Sequence, residues 1–102
     1  MKRHAFTMKL KPGYEEEYKK RHDEIWPELE EVLSEAGIHN YSIYLDEETG
    51  TLFAYQELEE DHEDVSSNPI VRKWWSYMKD IMETNPDNSP VENPLREVFH
   101  MD

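Results

Sequence analysis

The sequence predicts an α+β fold in which two helices cover one face of a four-stranded antiparallel sheet. Three observations carry that prediction. Four short segments alternate apolar and polar residues, as strands do; two longer ones repeat apolar residues every three or four positions, as helices do; and the segments follow one another in the order β-α-β-β-α-β. That order is the split β-α-β, or ferredoxin-like, arrangement.

Lys2 to Leu10 alternates, with His4, Phe6, Met8 and Leu10 on one side and Arg3, Ala5, Thr7 and Lys9 on the other, and Pro12-Gly13 ends the strand. From Tyr14 to Ala36 the period lengthens to that of a helix. Tyr14, Tyr18, His22, Ile25, Leu29, Val32 or Leu33 and Ala36 form one stripe, opposed by Glu15, Glu16, Lys19, Lys20, Asp23, Glu30 and Glu31. Glu15, Glu16 and Glu17 in the first turn suit the positive end of the helix dipole. Pro27 lacks a donor and crowds the preceding turn, so a kink or break is expected just before it, making the helix two. Ala36-Gly37 caps the segment.

Ile38 to Leu45 reads as the second strand, with His39, Tyr41, Ile43 and Leu45 on one face. Asp46 to Gly50 is a hairpin loop, and Thr51 to Leu58 returns antiparallel as the third strand. The acidic run Glu59 to Asp64 reads as solvated, His62 with it. Pro69 to Met82 is the second main helix, with Ile70, Trp74, Tyr77, Met78 and Ile81 as its stripe and Val71, Trp75 and Met82 at the edges. Asn85 to Pro94 is so dense in turn formers that it must be loop, and long loops in compact domains often border a site. Leu95 to His100 is the expected fourth strand.

The 102 residues suffice for one domain with one modest core. Only 36% of residues are hydrophobic, but three Trp, six Tyr and three Phe supply the bulky burial that disordered chains lack. A net charge of −13 repels phosphate backbones and anionic headgroups, so neither nucleic acid nor membrane is an expected partner. No apolar run approaches the roughly 18 residues of a bilayer span, and no signal-peptide core follows Met1. With no Cys as well, the expected location is the cytoplasm. Two helices leave the second sheet face uncovered, while Phe53, Tyr55 and Leu58 place apolar groups on both alternation sets. A homodimer that buries this face is therefore expected.

Phosphate loops, zinc helices, nucleophile elbows and calcium loops are all absent from the sequence. The five His residues share no metal-ligand spacing, so no metal is expected. What remains is His22 on an otherwise apolar face, one turn from Tyr18 and Trp26. It is either a core histidine satisfied by neighbours or a proton-exchanging group in an aromatic cavity. Trp74 and Trp75 diverge by about 100°, so one indole packs into the core while the other reaches a groove, where it can stack on a sugar. Tyr41 is equally a plain sheet tyrosine or a lining residue of the same space.

The segments Tyr18 to Glu31 (YKKRHDEIWPELEE), His39 to Asp46 (HNYSIYLD), Trp74 to Met78 (WWSYM) and Asn85 to Pro90 (NPDNSP) together resemble the L-rhamnose mutarotase family. The resemblance spans nearly the whole chain, apart from Glu60 to Val71, which is shorter than the family pattern and lacks its tryptophan. It implies dimeric α+β barrels of ferredoxin-like subunits, and a cofactor-free cytoplasmic isomerase that interconverts the α and β anomers of L-rhamnose. It also implies that His22 is the proton donor and that Tyr18, Tyr41, Trp74 and Trp75 bind the monosaccharide. Two rival readings share this scaffold: a cofactor-free monooxygenase or haem-degrading enzyme, and a module that binds a small ligand without turning it over.

Overall fold

A computed structural model describes residues 1–102. Its elements are β1 (Lys2–Lys9), α1 (Glu15–Asp23), α2 (Pro27–Glu35), β2 (Ile38–Asp46), β3 (Thr51–Leu58), α3 (Pro69–Met78) and β4 (Asn93–Leu95). The strands lie in the order β2-β3-β1-β4, all antiparallel, which is the expected ferredoxin-like sheet. No helix is long and apolar enough to cross a membrane.

The pleat sorts the residues as the alternation predicts. Phe6 and Met8 of β1 pair with Ala54 and Leu52 of β3, and all four are buried beneath the helices. Tyr18, Leu29, Val71, Trp74 and Met78 close over them from α1, α2 and α3 to complete one core. The opposite alternation set lies bare: Phe53 is 43% exposed and Tyr44, its partner on β2, 69%.

Pro27 divides the first helical segment in two. The residue before a proline is pushed out of the α region, and Trp26 is accordingly extended (ψ 127°), while Pro27 opens α2 at a position that needs no amide donor. The Asn68 side chain accepts from the Ile70 amide at 2.9 Å and Pro69 follows it, so α3 begins where expected. Gly37 turns the chain from α2 into β2 at φ +89°. A Cβ there would also sit 3.2 Å from His62 Cα and Glu59 Cβ, so the turn requires glycine twice over.

Two boundaries differ from expectation. α3 stops at Met78, not Met82, yet Ile81 and Met82 are still buried. The chain turns so that the Ile81 carbonyl accepts from Lys11 and Met82 bridges to Leu10. The fourth strand is Asn93–Leu95 and not Leu95 to His100: it pairs three residues with β1, and beyond it only the Arg3–Glu97 ion pair at 2.9 Å continues the line. Val98, Phe99 and Met101 are 78–79% exposed, because nothing within the chain lies opposite them to bury their apolar alternation.

One irregularity matters for the site. Between His39 and Ser42 the β2–β3 register shifts, so that two residues of β2 stand opposite Gln56 alone, and Asn40 takes a left-handed φ of 49°. Unbroken pairing would set Tyr41 opposite Tyr55, on the bare face. The bulge gives that place to Ser42 and turns Tyr41 toward the helices.

Candidate active site

Between the helices and the sheet lies an open cavity of about 1570 Å³, and the five residues singled out from the sequence, Tyr18, His22, Tyr41, Trp74 and Trp75, all line it. Tyr18 and His22 come from the last two turns of α1, Tyr41 from the bulge of β2, and the indoles from the middle of α3.

His22 is held by its own helix. Its Nδ1 lies 3.0 Å from the Tyr18 carbonyl oxygen, and because a carbonyl only accepts, Nδ1 carries the proton and Nε2 is left for a ligand. The Tyr18 ring stacks on the imidazole at 4.3 Å between centroids, and the Trp74 ring meets it edge-on at 5.4 Å. Burial pushes the imidazole below its ordinary pKa, outweighing the Tyr18 carbonyl and Asp23, which pull it up. His22 is therefore not a core histidine with both nitrogens satisfied.

The expected neighbour Trp26 is displaced. It caps α2 one layer back, edge-on to Trp74 at 5.0 Å and beside Tyr77 at 5.6 Å, and does not line the cavity. The break before Pro27 ends the helical stripe at His22, so spacing counted across it fails. Trp74 is the indole that meets the histidine.

The two indoles of α3 divide as their 100° separation predicts. Trp74 is buried at 9% exposure, whereas Trp75 is half-buried at the cavity edge, with the Arg72 guanidinium 5.9 Å from its ring. The short stretch from Glu60 to Val71 leaves both on the cavity wall.

Both phenols stay protonated. Burial raises Tyr18, with the Tyr41 phenol adding to the effect, and burial raises Tyr41, with the Glu92 carboxylate adding to it. Neither hydroxyl hydrogen-bonds within the chain, and no buried side-chain polar atom in the chain lacks a partner. The Tyr18 hydroxyl must then open into the cavity. Tyr41, 39% exposed, lines the cavity, and the Phe6 ring supports it edge-on at 6.4 Å.

The long loop before β4 supplies polar groups that the sequence did not single out, among them Asn85, Asp87, Ser89 and Glu92. Ser89 binds Asp87 through its amide (3.0 Å) and hydroxyl (2.5 Å), which holds that carboxyl below its usual range. The density of turn formers and the Asn85 to Pro90 block of the family resemblance pointed to this segment, without giving a role to any residue in it. No three His, Asp or Glu side chains converge as metal ligands. An imidazole with Nε2 free, two phenol donors, apolar ring faces and a polar loop together suit a small polyhydroxylated ligand that exchanges protons.

Comparison with known proteins places the chain in one family. A family model described as L-rhamnose mutarotase matches residues 3–101. The L-rhamnose mutarotase of Flavobacterium johnsoniae is 64% identical over 102 residues, covering 98% of this chain and 95% of its own. That of Phocaeicola vulgatus is 62% identical over the full length of both. The crystal structure of an L-rhamnose mutarotase from Formosa agariphila superposes with a TM-score of 0.95 at 53% identity, again over the whole of both chains.

Proposed function

The chain belongs to the L-rhamnose mutarotase family, and on that premise we propose that it interconverts the α and β anomers of L-rhamnose with His22 as the proton donor. The observation that carries the role of His22 is its anchoring. With Nδ1 committed to the Tyr18 carbonyl, a single nitrogen, Nε2, faces the ligand from within an aromatic wall.

Mutarotation opens the pyranose and closes it on the other face of C1. On opening, O1 gives its proton to water in the open cavity, the C1–O5 bond breaks with its electron pair going to O5, and O5 takes up a proton as O1 becomes the aldehyde oxygen; on closure the flow at O1 reverses. The imidazolium of His22 gives that proton from Nε2 and takes it back on closure, after C1 has rotated. No cofactor enters this balance. General acid–base help of this kind is worth about 10² to 10⁴ in rate.

Tyr18 and Tyr41 remain phenols at neutral pH, and so serve as hydroxyl-binding donors and not as bases. Trp74 and Trp75 give the sugar an apolar surface, which favours the methyl of a 6-deoxy sugar over a hydroxymethyl that would lose hydrogen bonds there. We further propose that the molecule is a cytoplasmic homodimer of single-domain chains, without nucleic-acid or membrane partners. The bare sheet face with Phe53 and Tyr44 and the exposed tail with Val98, Phe99 and Met101 support the dimer.

Saturation-transfer NMR on equilibrated L-rhamnose tests the reading. The expected result is α/β exchange accelerated by the protein and reduced about 10²-fold or more in His22→Ala. No acceleration, with oxygen consumption or haem loss in its place, would move the function to the rival enzyme class.

A further inference from the structure

A small polar molecule in a chamber walled by rings is held by few polar groups, and the most selective are those that the fold withdraws from bulk water. One buried residue of the chain is of polar type. It is Gln56, 9% exposed, and every other buried residue is apolar, aromatic or glycine.

We propose that Gln56 is a sugar-binding residue: its carboxamide, buried on the chamber floor beside Tyr41 and unbonded within the chain, grips two adjacent ring hydroxyls of the monosaccharide. This rests on the proposed mutarotase activity and adds to it a group that selects the sugar by its hydroxyl pattern.

Three strands fix where the carboxamide stands. Gln56 follows Leu52 and Ala54 on one alternation set of β3, and those two are buried beneath the helices, so its side chain rises on the helix side of the sheet and lines the cavity. Across β1 its partner is His4, and across β2 it faces the two residues of the bulge, Asn40 and Tyr41. Side chains directly opposite one another in a sheet have Cβ atoms about 5 Å apart. The Phe6 ring joins the two flanks, stacked on His4 at 5.2 Å and edge-on to Tyr41 at 6.4 Å. Backbone register thus sets Gln56 between an imidazole and a phenol, within reach of a ligand that Tyr41 touches.

The carboxamide is also unpaired. No hydrogen bond within the chain engages it, and no polar side-chain atom is both sealed from solvent and without a partner, so its nitrogen and its oxygen each keep contact with the cavity that Gln56 borders. Withdrawing an amide into a core with nothing to satisfy it is costly, and Leu or Val would serve the packing better. The acids of the cavity rim carry no such signal: Glu16, Glu30, Glu47 and Glu63 are exposed, and water satisfies them.

The chemistry of the group fits a diol. A carboxamide donates from Nε2 and accepts at Oε1 side by side, and of two neighbouring hydroxyls one can accept while the other donates. Being uncharged, it leaves the proton exchange at His22 undisturbed. A site built to hydrogen-bond a hydroxyl rejects the analogue lacking it, because the buried protein group is then left unpaired.

The first test uses the wild-type chain. In isotope-labelled protein, the side-chain amide signals of Gln56, assigned by their loss in Gln56→Met, are expected to shift on saturation with L-rhamnose. The second is anomer-exchange NMR, in which Gln56→Met is expected to raise KM about tenfold or more with kcat within about threefold. Its urea midpoint is expected to be unchanged or raised, since an unpaired polar group has left an apolar site. Among the analogues of L-rhamnose that each lack one ring hydroxyl beyond C1, two are expected to bind the wild-type chain about fivefold or more weakly than L-rhamnose, and Gln56→Met within about twofold of it.

The proposal is overturned if the amide signals stay in place in saturating sugar, or if the KM of Gln56→Met remains within about threefold of wild type. It is equally overturned if the variant keeps the wild-type preference among the analogues. A lowered midpoint or a failure to fold would make the carboxamide a structural group and overturn it too. Failure of the mutarotase activity itself looks different: a wild-type chain that does not accelerate anomer exchange, whether or not the amide signals shift.

Discussion

Arg21 grips Asp80 with two parallel hydrogen bonds, Nη1 to Oδ1 at 2.9 Å and Nη2 to Oδ2 at 3.1 Å. Nη1 also donates to the Tyr77 carbonyl at 2.8 Å, and the guanidinium lies 4.5 Å from the centre of the Tyr77 ring. The residue next to His22 thus ties the end of α1, which carries the imidazole, to the end of α3, which carries Trp74.

Replacing Arg21 with Met should destabilise the chain by about 1.5–3 kcal/mol, mainly through the lost charged bond to the Tyr77 carbonyl. Asp80→Asn should cost less than about 1 kcal/mol, since that carboxylate is 61% exposed. Urea titrations read both as shifts in midpoint at constant slope. A larger loss for Asp80→Asn than for Arg21→Met would assign the tie to the wrong contact.

Tyr18→Phe separates binding from folding. The hydroxyl has no hydrogen bond within the chain, so its removal should leave the urea midpoint nearly unchanged. If the hydroxyl binds the sugar, kcat/KM for anomer exchange should fall about 3- to 10-fold, the worth of one neutral hydrogen bond. A destabilised variant with unaltered exchange would make Tyr18 a packing residue only.

The two indoles should behave oppositely. Trp74→Ala empties a buried site and should cost about 3–5 kcal/mol, whereas Trp75→Ala should cost about 1 kcal/mol and act chiefly on KM. Thermal unfolding together with exchange kinetics distinguishes the two patterns.

The donor role of His22 has a definite pH signature. Burial sets its pKa below the ordinary 6.5, so imidazolium is lost as pH rises through that lowered value. The exchange rate should therefore already be falling at pH 6.5, by up to tenfold per unit, when followed from pH 5 to 8. A rate that climbs with pH over that range would make the neutral ring the starting form. Stability moves the other way. The unfolded chain binds the proton at 6.5 and the folded chain only below it, so stability declines as pH drops from 6.5 toward the folded value and is unaffected above.

Much of this was legible from local pattern. β3 begins and ends where alternation and the hairpin place it, and the Asn68-Pro69 start of α3 was marked by proline. Local rules failed where distant partners decide. Val98 and Phe99 look like a strand, but β1 offers them no continuing ladder. Trp26 lies at helical spacing from His22, but the extended residue before Pro27 resets the count.

The bulge at Asn40 and Tyr41 sets the demands of cohesion against those of turnover. A shorter variant lacking Asn40 would zip β2 onto β3 without a flaw and would remove a residue held in the left-handed region. It would leave Tyr41 opposite Gln56, on the chamber side, but would flatten the bend that the extra residue puts into the strand. Selection for ruggedness alone would discard this defect, and the aim of that phenol would change with it.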